Sequence, residues 1–181
     1  MARGINNIIL VPSLRIALLL VPKCACTSVR QSLVESRHQI ILRPDGIPAG
    51  YRRIAVVRNT WDRIVSCWLD KTHSPERSVY LGSNSFQAGM TLKNFVMVVA
   101  RNPRANCHFY PQDEIVEGYD EVWILPELNR QWPSIFPRIQ IRHDNANADR
   151  HANYRRYYSD GTAEMVGEIY ASEIERWEFA W

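Results

Sequence analysis

Long apolar runs are scarce in this 181-residue chain. The longest, residues 16–22, is too short to span a bilayer and is bracketed by Arg15 and Lys23. No unbroken apolar region follows a basic start, so nothing reads as a secretory signal, and the expected compartment is the cytoplasm. Cysteine is sparse: Cys24, Cys26, Cys67 and Cys107. Cys24 and Cys26 stand too close in sequence for an easy bridge, so reduced thiols are expected. One CxC without a second close Cys/His pair lacks zinc-ligand spacing, and no metal is expected. Dense basic stripes are also missing. Lys plus Arg number 22 against 19 Asp plus Glu, a net +3 that suits an anionic small molecule better than a nucleic acid. Repeats, low-complexity tracts and Gly/Ser linkers are absent. The chain reads as a single domain over residues 1–181, with the 46% apolar and 23% charged content of a globular protein.

What is present is an alternation of short apolar strands and amphipathic helices. Residues 5–11 and 15–21 form two β-rich runs joined by Pro12-Ser13, a hairpin entering a sheet. Residues 16–21 are apolar without alternation, the pattern of a strand buried on both faces. After Pro22 a helix can start at Thr27 or Ser28, with Val29, Leu33 and Val34 inward. Residues 53–57 repeat the strand pattern, and residues 62–71 read as a helix burying Ile64, Val65, Trp68 and Leu69. Further helices are expected over residues 91–100 and from about Thr162, with a strand over 121–125 and a mostly irregular stretch over 132–149. Two successive strand–loop–helix units argue for a three-layer α/β architecture with a central, mostly parallel sheet.

Both strand-to-helix loops have the chemistry of a phosphate cradle. The first is Pro22-Lys23-Cys24-Ala25-Cys26-Thr27-Ser28. Small residues let the backbone approach an anion at a helix N-terminus, Lys23 adds charge, and Thr27 and Ser28 add hydroxyls. It is not a GxxxxGK[ST] loop, since no Gly-Lys pair occurs there. An ordinary turn with a surface lysine explains this loop alone equally well. The second loop contains Val57-Arg58-Asn59-Thr60-Trp61-Asp62-Arg63, with Ser66 one turn into the next helix. Arg58 sits at a strand's C-terminal end, where open α/β sheets hold ligands, and with Ser66 it could bind a dianionic phosphate. Surface ion pairing of Asp62 and Arg63 beside a solvated Ser66 is the plainer alternative. Taken together, the two loops suit a ligand phosphorylated at two separate points.

These residues carry a resemblance. Val21 through Ser28 resembles the 5′-phosphosulfate loop of carbohydrate sulfotransferases, the family 2-like enzymes that use 3′-phosphoadenosine 5′-phosphosulfate (PAPS). Val57 through Ser66 resembles their 3′-phosphate motif. His108-Phe109-Tyr110-Pro111-Gln112 is similar to a His-x-x-Pro-Gln element of the same family, followed by Tyr119-Asp120-Glu121-Val122. Tyr157-Tyr158-Ser159-Asp160 through Tyr170 is similar to its closing helix. The resemblance implies the P-loop-like sulfotransferase fold and metal-free transfer of a sulfuryl group to a hydroxyl on a carbohydrate or small alcohol. It implies donor binding by Lys23, Cys24, Ala25, Cys26, Thr27, Ser28, Arg58 and Ser66, with Lys23 at the leaving oxygen. Leu125-Pro126-Glu127-Leu128-Asn129 departs from the family pattern, since only Glu127 could match the Glu-rich segment of many relatives.

For the general base His108 has the best case, because it stands in the His-x-x-Pro-Gln element that the resemblance picks out. Glu127 and Asp45 are the carboxylate alternatives, and a structural histidine bonded to a loop carbonyl is the plainer reading of His108. His38 is expected to cap the end of the first helix. Two other readings stand beside the sulfotransferase: a nucleotide-dependent phosphotransferase, which would want Gly-Lys-Ser/Thr and a strand-end Asp, and a non-catalytic nucleotide-binding module. Arg130, Arg138, Arg142, Arg150, Arg155 and Arg156 interleave with Tyr154, Tyr157 and Tyr158. That set reads as a solvated face more readily than as a nucleic-acid surface. Cys24 and Cys26 read as small loop fillers, although a thiol at a helix N-terminus can have a lowered pKa.

Overall fold

The computed structural model describes residues 7–36, 38–42, 45–73, 86–141 and 153–181. In chain order its first elements are β1 (Ile8–Val11), β2 (Ile16–Leu20), α1 (Cys26–Val34), β3 (Ile41–Leu42), β4 (Arg52–Val57), α2 (Thr60–Thr72) and α3 (Leu92–Arg101). Then follow α4 (Gln112–Ile115), β5 (Glu121–Ile124), α5 (Leu128–Gln131), α6 (Asp160–Ile169) and α7 (Ala171–Arg176). The result is a mixed α/β fold in two compact units: Met1–Arg58 with Glu114–Ala146, and Asn59–Asp113 with Asn147–Trp181. Among the described residues no helix is long and apolar enough to cross a membrane.

The first unit holds a five-stranded sheet of order β3-β1-β2-β4-β5. β1 and β2 form the expected hairpin, paired antiparallel from Ile8↔Leu19 to Val11↔Ile16. Its turn is the 3-10 segment Pro12–Leu14, closed by Arg15 in the left-handed region at φ 50°. β4 runs parallel to β2, and β5 parallel to β4. The sheet is thus mixed, not mostly parallel: the tight hairpin forces β1 antiparallel, and β3 returns antiparallel beside it. Every residue of β1 and β2, and Ile54–Val57 of β4, is buried. That accounts for the unbroken apolar runs, each fully buried aliphatic side chain contributing roughly 1.5–3 kcal/mol. The two-residue edge strand β3 leaves Ile41 and Leu42 exposed. At the opposite edge Arg52 pairs with Glu121 through Nε at 2.5 Å and Nη2 at 2.8 Å, which holds the Glu121 carboxyl below its ordinary pKa.

Helix α1 buries Val29 and Leu33 as expected, but Val34 is 58% exposed. Five residues at about 100° each carry Val34 roughly 140° round the helix from Val29, off the buried stripe. In the second unit α2, α3 and α6 pack on one another. Helix α2 starts two residues earlier than the apolar spacing predicts, because Asn59 Oδ1 accepts the N–H groups of Trp61 (3.1 Å) and Asp62 (3.4 Å). Thr91 caps α3 in the same way through the N–H of Asn94. All four predicted apolar positions of α3 (Leu92, Phe95, Val96 and Val99) are buried. Of the stretch expected to be irregular, Trp132–Ser134 forms a 3-10 turn, and residues 142–149 lie outside the described residues.

Candidate functional site

The first loop leaves β2 at the sheet's interior and enters α1 within five residues. Val21 and Cys24 are fully buried, and the Cys24 N–H donates to the Val21 carbonyl at 3.0 Å. Lys23 and Ala25 both take left-handed backbone, at φ 73° and φ 58°. Neither is glycine, so each conformation costs about 1–2 kcal/mol. Ala25 is the residue that precedes α1, and no side chain caps the helix there. A left-handed residue directly before an uncapped helix aims the first-turn N–H groups into one concavity, the backbone form that binds anions. Thr27 is exposed on that first turn, Lys23 is half-buried, and Ser28 is buried.

The Cys26 thiol turns back toward the end of β2. Cys26 Sγ donates back to the carbonyls of Val21 (3.0 Å) and Leu20 (3.3 Å), and Cys24 Sγ lies 3.8 Å from the Pro22 carbonyl. Burial pushes the Cys26 thiol above its ordinary pKa, although Arg30 and Lys23 pull it down. The lowering that a helix N-terminus can bring is absent here: loss of water outweighs the backbone hydrogen bonds and both cations. All four cysteines are free.

Arg58 follows β4 directly. Because β2 and β4 are parallel neighbours in register from Ile16↔Arg52 to Leu20↔Val56, their C-terminal ends lie side by side. There the Arg58 guanidinium, 5% exposed, donates from Nη1 to the Lys23 carbonyl at 3.0 Å. The fold therefore brings Arg58 to the first loop, at the sheet edge where open α/β sheets place ligands. The N-terminus of α2 differs from that of α1, since the Asn59 side chain already accepts two of its N–H groups. Ser66, on the buried face of α2, belongs to the second unit.

His108 is also in the second unit, half-buried in the segment between α3 and α4. A turn sets its place: the Phe109 N–H donates to the Asn106 carbonyl at 3.2 Å. Side chains from α2, α6 and α7 hold this segment by its backbone. Arg63 donates to the carbonyls of Tyr110 (2.9 Å) and Cys107 (3.4 Å). Tyr170, which closes α6, donates its hydroxyl to the Phe109 carbonyl. Glu173, fully buried, accepts the Gln112 N–H, the Gln112 amide at 2.9 Å and the Thr60 hydroxyl at 2.6 Å. Burial raises the Glu173 carboxyl above its ordinary pKa, against the Arg63 charge and these hydrogen bonds.

Sequence reasoning missed both anchors. Arg63 is 1% exposed, so the surface pair with Asp62 is not its setting. Periodicity marks only apolar positions, and a charged residue within a helical stripe reads as solvated. Glu173, in Ala-Ser-Glu-Ile-Glu-Arg, looks like a polar face for the same reason. Gln112 is the one partner that the His-x-x-Pro-Gln element singled out.

The remaining candidates sit apart from such anchoring. Glu127 binds Arg130 at 2.9 Å and stands three residues from it on a partly exposed turn. Asp45 is exposed. His38 lies beyond the end of α1; its Nδ1 is 3.3 Å from Ser13 Oγ and its ring meets Phe136 edge-on, so it does not cap the helix. The helix stops four residues short of it, at Val34. His143, His151, Arg142 and Arg150 lie outside the described residues. Arg155 and Arg156 stack over Tyr154 and Tyr157, at 5.8 and 4.9 Å from the ring centroids. Among the described residues no group of three or more His, Cys, Asp or Glu could hold a metal ion. No family model matches the chain, and no curated protein or solved structure is similar to it.

Proposed function

We propose that the chain is a PAPS-dependent sulfotransferase of the three-layer P-loop-like fold, acting on a hydroxyl of a carbohydrate or small alcohol. The observation that carries this reading is the loop between β2 and α1. It joins left-handed Lys23 and Ala25 to an uncapped helix, with the buried Arg58 guanidinium bonded to its backbone. An anion is the ligand such a concavity favours, and the resemblance makes that anion the 5′-phosphosulfate of the donor.

In this reading the N–H groups of the first turn of α1 and the hydroxyls of Thr27 and Ser28 orient the 5′ phosphate. Lys23 neutralises charge gathering on the bridging oxygen as the sulfur–oxygen bond breaks. The acceptor oxygen forms the new bond to sulfur in line and gives its proton to a base, for which His108 is the choice. Arg58 and Ser66 keep the roles that the resemblance implies, at the 3′ phosphate. Those two charge-assisted contacts would separate the donor from ATP, each worth roughly 1.5–3 kcal/mol.

The test is a thermal-shift series with 3′-phosphoadenosine 5′-phosphate, ATP and AMP. Strong stabilisation by the bisphosphate alone supports the reading, and equal shifts with all three overturn it. Turnover of radiolabelled PAPS on a panel of glycans and alcohols then separates an enzyme from a binding module.

A further inference from the structure

The geometry points to Asn106 as the positioning residue that fixes the ring tautomer of His108, so that Nε2 is the nitrogen able to take a proton. The inference rests on His108 being the base of the proposed transfer.

The backbone N–H of His108 donates to the Asn106 side chain at 3.0 Å. An N–H group can only donate, so the atom it meets is the amide oxygen Oδ1 and not the NH₂ group. That same oxygen lies 2.8 Å from His108 Nδ1. Two acceptors do not share such a contact, so Nδ1 carries a hydrogen. In the neutral ring the lone pair then resides on Nε2. Cys107 Sγ, 3.5 Å from Nδ1, is a second and weaker acceptor for that hydrogen.

The backbone around the pair is held on both sides. Arg63 binds the Cys107 and Tyr110 carbonyls, and Tyr170 binds that of Phe109. With its backbone fixed and Nδ1 engaged, the His108 ring loses most of its freedom to turn about χ2. During transfer Nε2 accepts the acceptor hydroxyl's proton as the new oxygen–sulfur bond forms. The electron pair of the broken bond stays with the donor's 5′ phosphate. The imidazolium so formed keeps its Nδ1–H bond to Asn106 Oδ1, which stabilises the positive ring.

The test uses the full chain, labelled with ¹⁵N in its histidine rings, at a pH where the His108 ring is neutral. The wild type should show His108 with the hydrogen on Nδ1. Asn106→Ala should move it toward Nε2, and Asn106→Asp, which retains an acceptor oxygen, should restore the Nδ1 form. In the transfer assay Asn106→Ala should lower kcat about ten- to hundredfold with the donor KM nearly unchanged. Asn106→Asp should recover much of that loss. A wild-type ring protonated on Nε2 overturns the inference, as does a tautomer indifferent to Asn106→Ala. The wild-type spectrum decides the first point even if a variant fails to fold. Expected ring signals in a chain that transfers no sulfuryl group would uphold Asn106 as the orienting group and remove the sulfotransferase reading instead.

Discussion

The loop between β2 and α1 makes its turn largely with its own backbone. The Cys24 N–H donates to the Val21 carbonyl and the Cys26 thiol to the Leu20 and Val21 carbonyls, φ is left-handed at Lys23 and Ala25, and the Arg58 guanidinium reaches the loop from farther along the chain. The segment around His108 is held differently. Arg63, Tyr170 and Glu173 grip residues 107–112 from positions at least 44 residues away, through side chains that are themselves buried. A loop of the first kind can present N–H groups to a ligand because the residue before its helix, Ala25, has no side chain able to cap them. A loop of the second kind can aim one side chain, because its backbone is immobilised from outside. The first suits the binding of an anion, and the second suits the orientation of a proton acceptor.

The largest effect that would break this contrast is loss of the distant grip. Glu173→Ala removes an acceptor used by Thr60 and Gln112 and leaves the buried Arg63 charge less compensated. Urea unfolding should show a loss of about 3–5 kcal/mol, the scale for removing one partner of a buried charged set. An unchanged midpoint would mean that the segment around His108 does not depend on that grip.

Next comes Lys23→Ala, which tests the first loop by activity and not by stability. If Lys23 meets the leaving oxygen, the transfer rate should fall at least about a hundredfold while donor affinity falls less. Near-normal turnover would remove Lys23 from the chemistry.

A smaller effect sharpens the role of Glu173. Its folded pKa is raised, so between its ordinary value of 4.5 and the raised value the folded state binds more protons than the unfolded chain. Stability carried by this group therefore grows as pH falls through that window and shrinks as pH rises, by at most about 1.4 kcal/mol per pH unit. Glu173→Gln should remove that part of the slope in urea midpoints measured across the window. A variant with the wild-type slope would show that other groups govern it.

The smallest effect is Ala25→Gly. Relief of left-handed backbone returns about 1–2 kcal/mol, and glycine's added unfolded-state freedom offsets about 0.4–1 kcal/mol of it. A net gain of about 0.5–1 kcal/mol in urea unfolding is expected. Destabilisation would contradict the strain assigned to the first loop.

Local order was legible because it depends on neighbours in the chain. The unalternating run over residues 16–21 suited a strand buried on both faces, and β2 is buried throughout, as are β1 and Ile54–Val57 of β4. Pro12-Ser13 between two such runs marked the hairpin, and the small residues after Pro22 marked the tight turn into α1. Thr91 announced its helix. Asn59 was not read as a cap: the sequence started that helix at Asp62, and the Asn59 side chain, by accepting the N–H groups of Trp61 and Asp62, starts it at Thr60.

By itself, then, the sequence determined the strands β1, β2, β4 and β5, the longer helices and the tight turn after β2, since apolar spacing, proline and caps act over a few residues; the short β3, α4, α5 and α7 went unread. Only the tertiary structure decided that Arg58 lies against the Lys23 carbonyl, because that depends on β2 and β4 being parallel neighbours in one register. It alone buried Arg63 and Glu173. The physical reason is the same each time. A charge can leave water only where distant backbone carbonyls, hydroxyls and amides assemble to receive it, and no short stretch of sequence records that assembly.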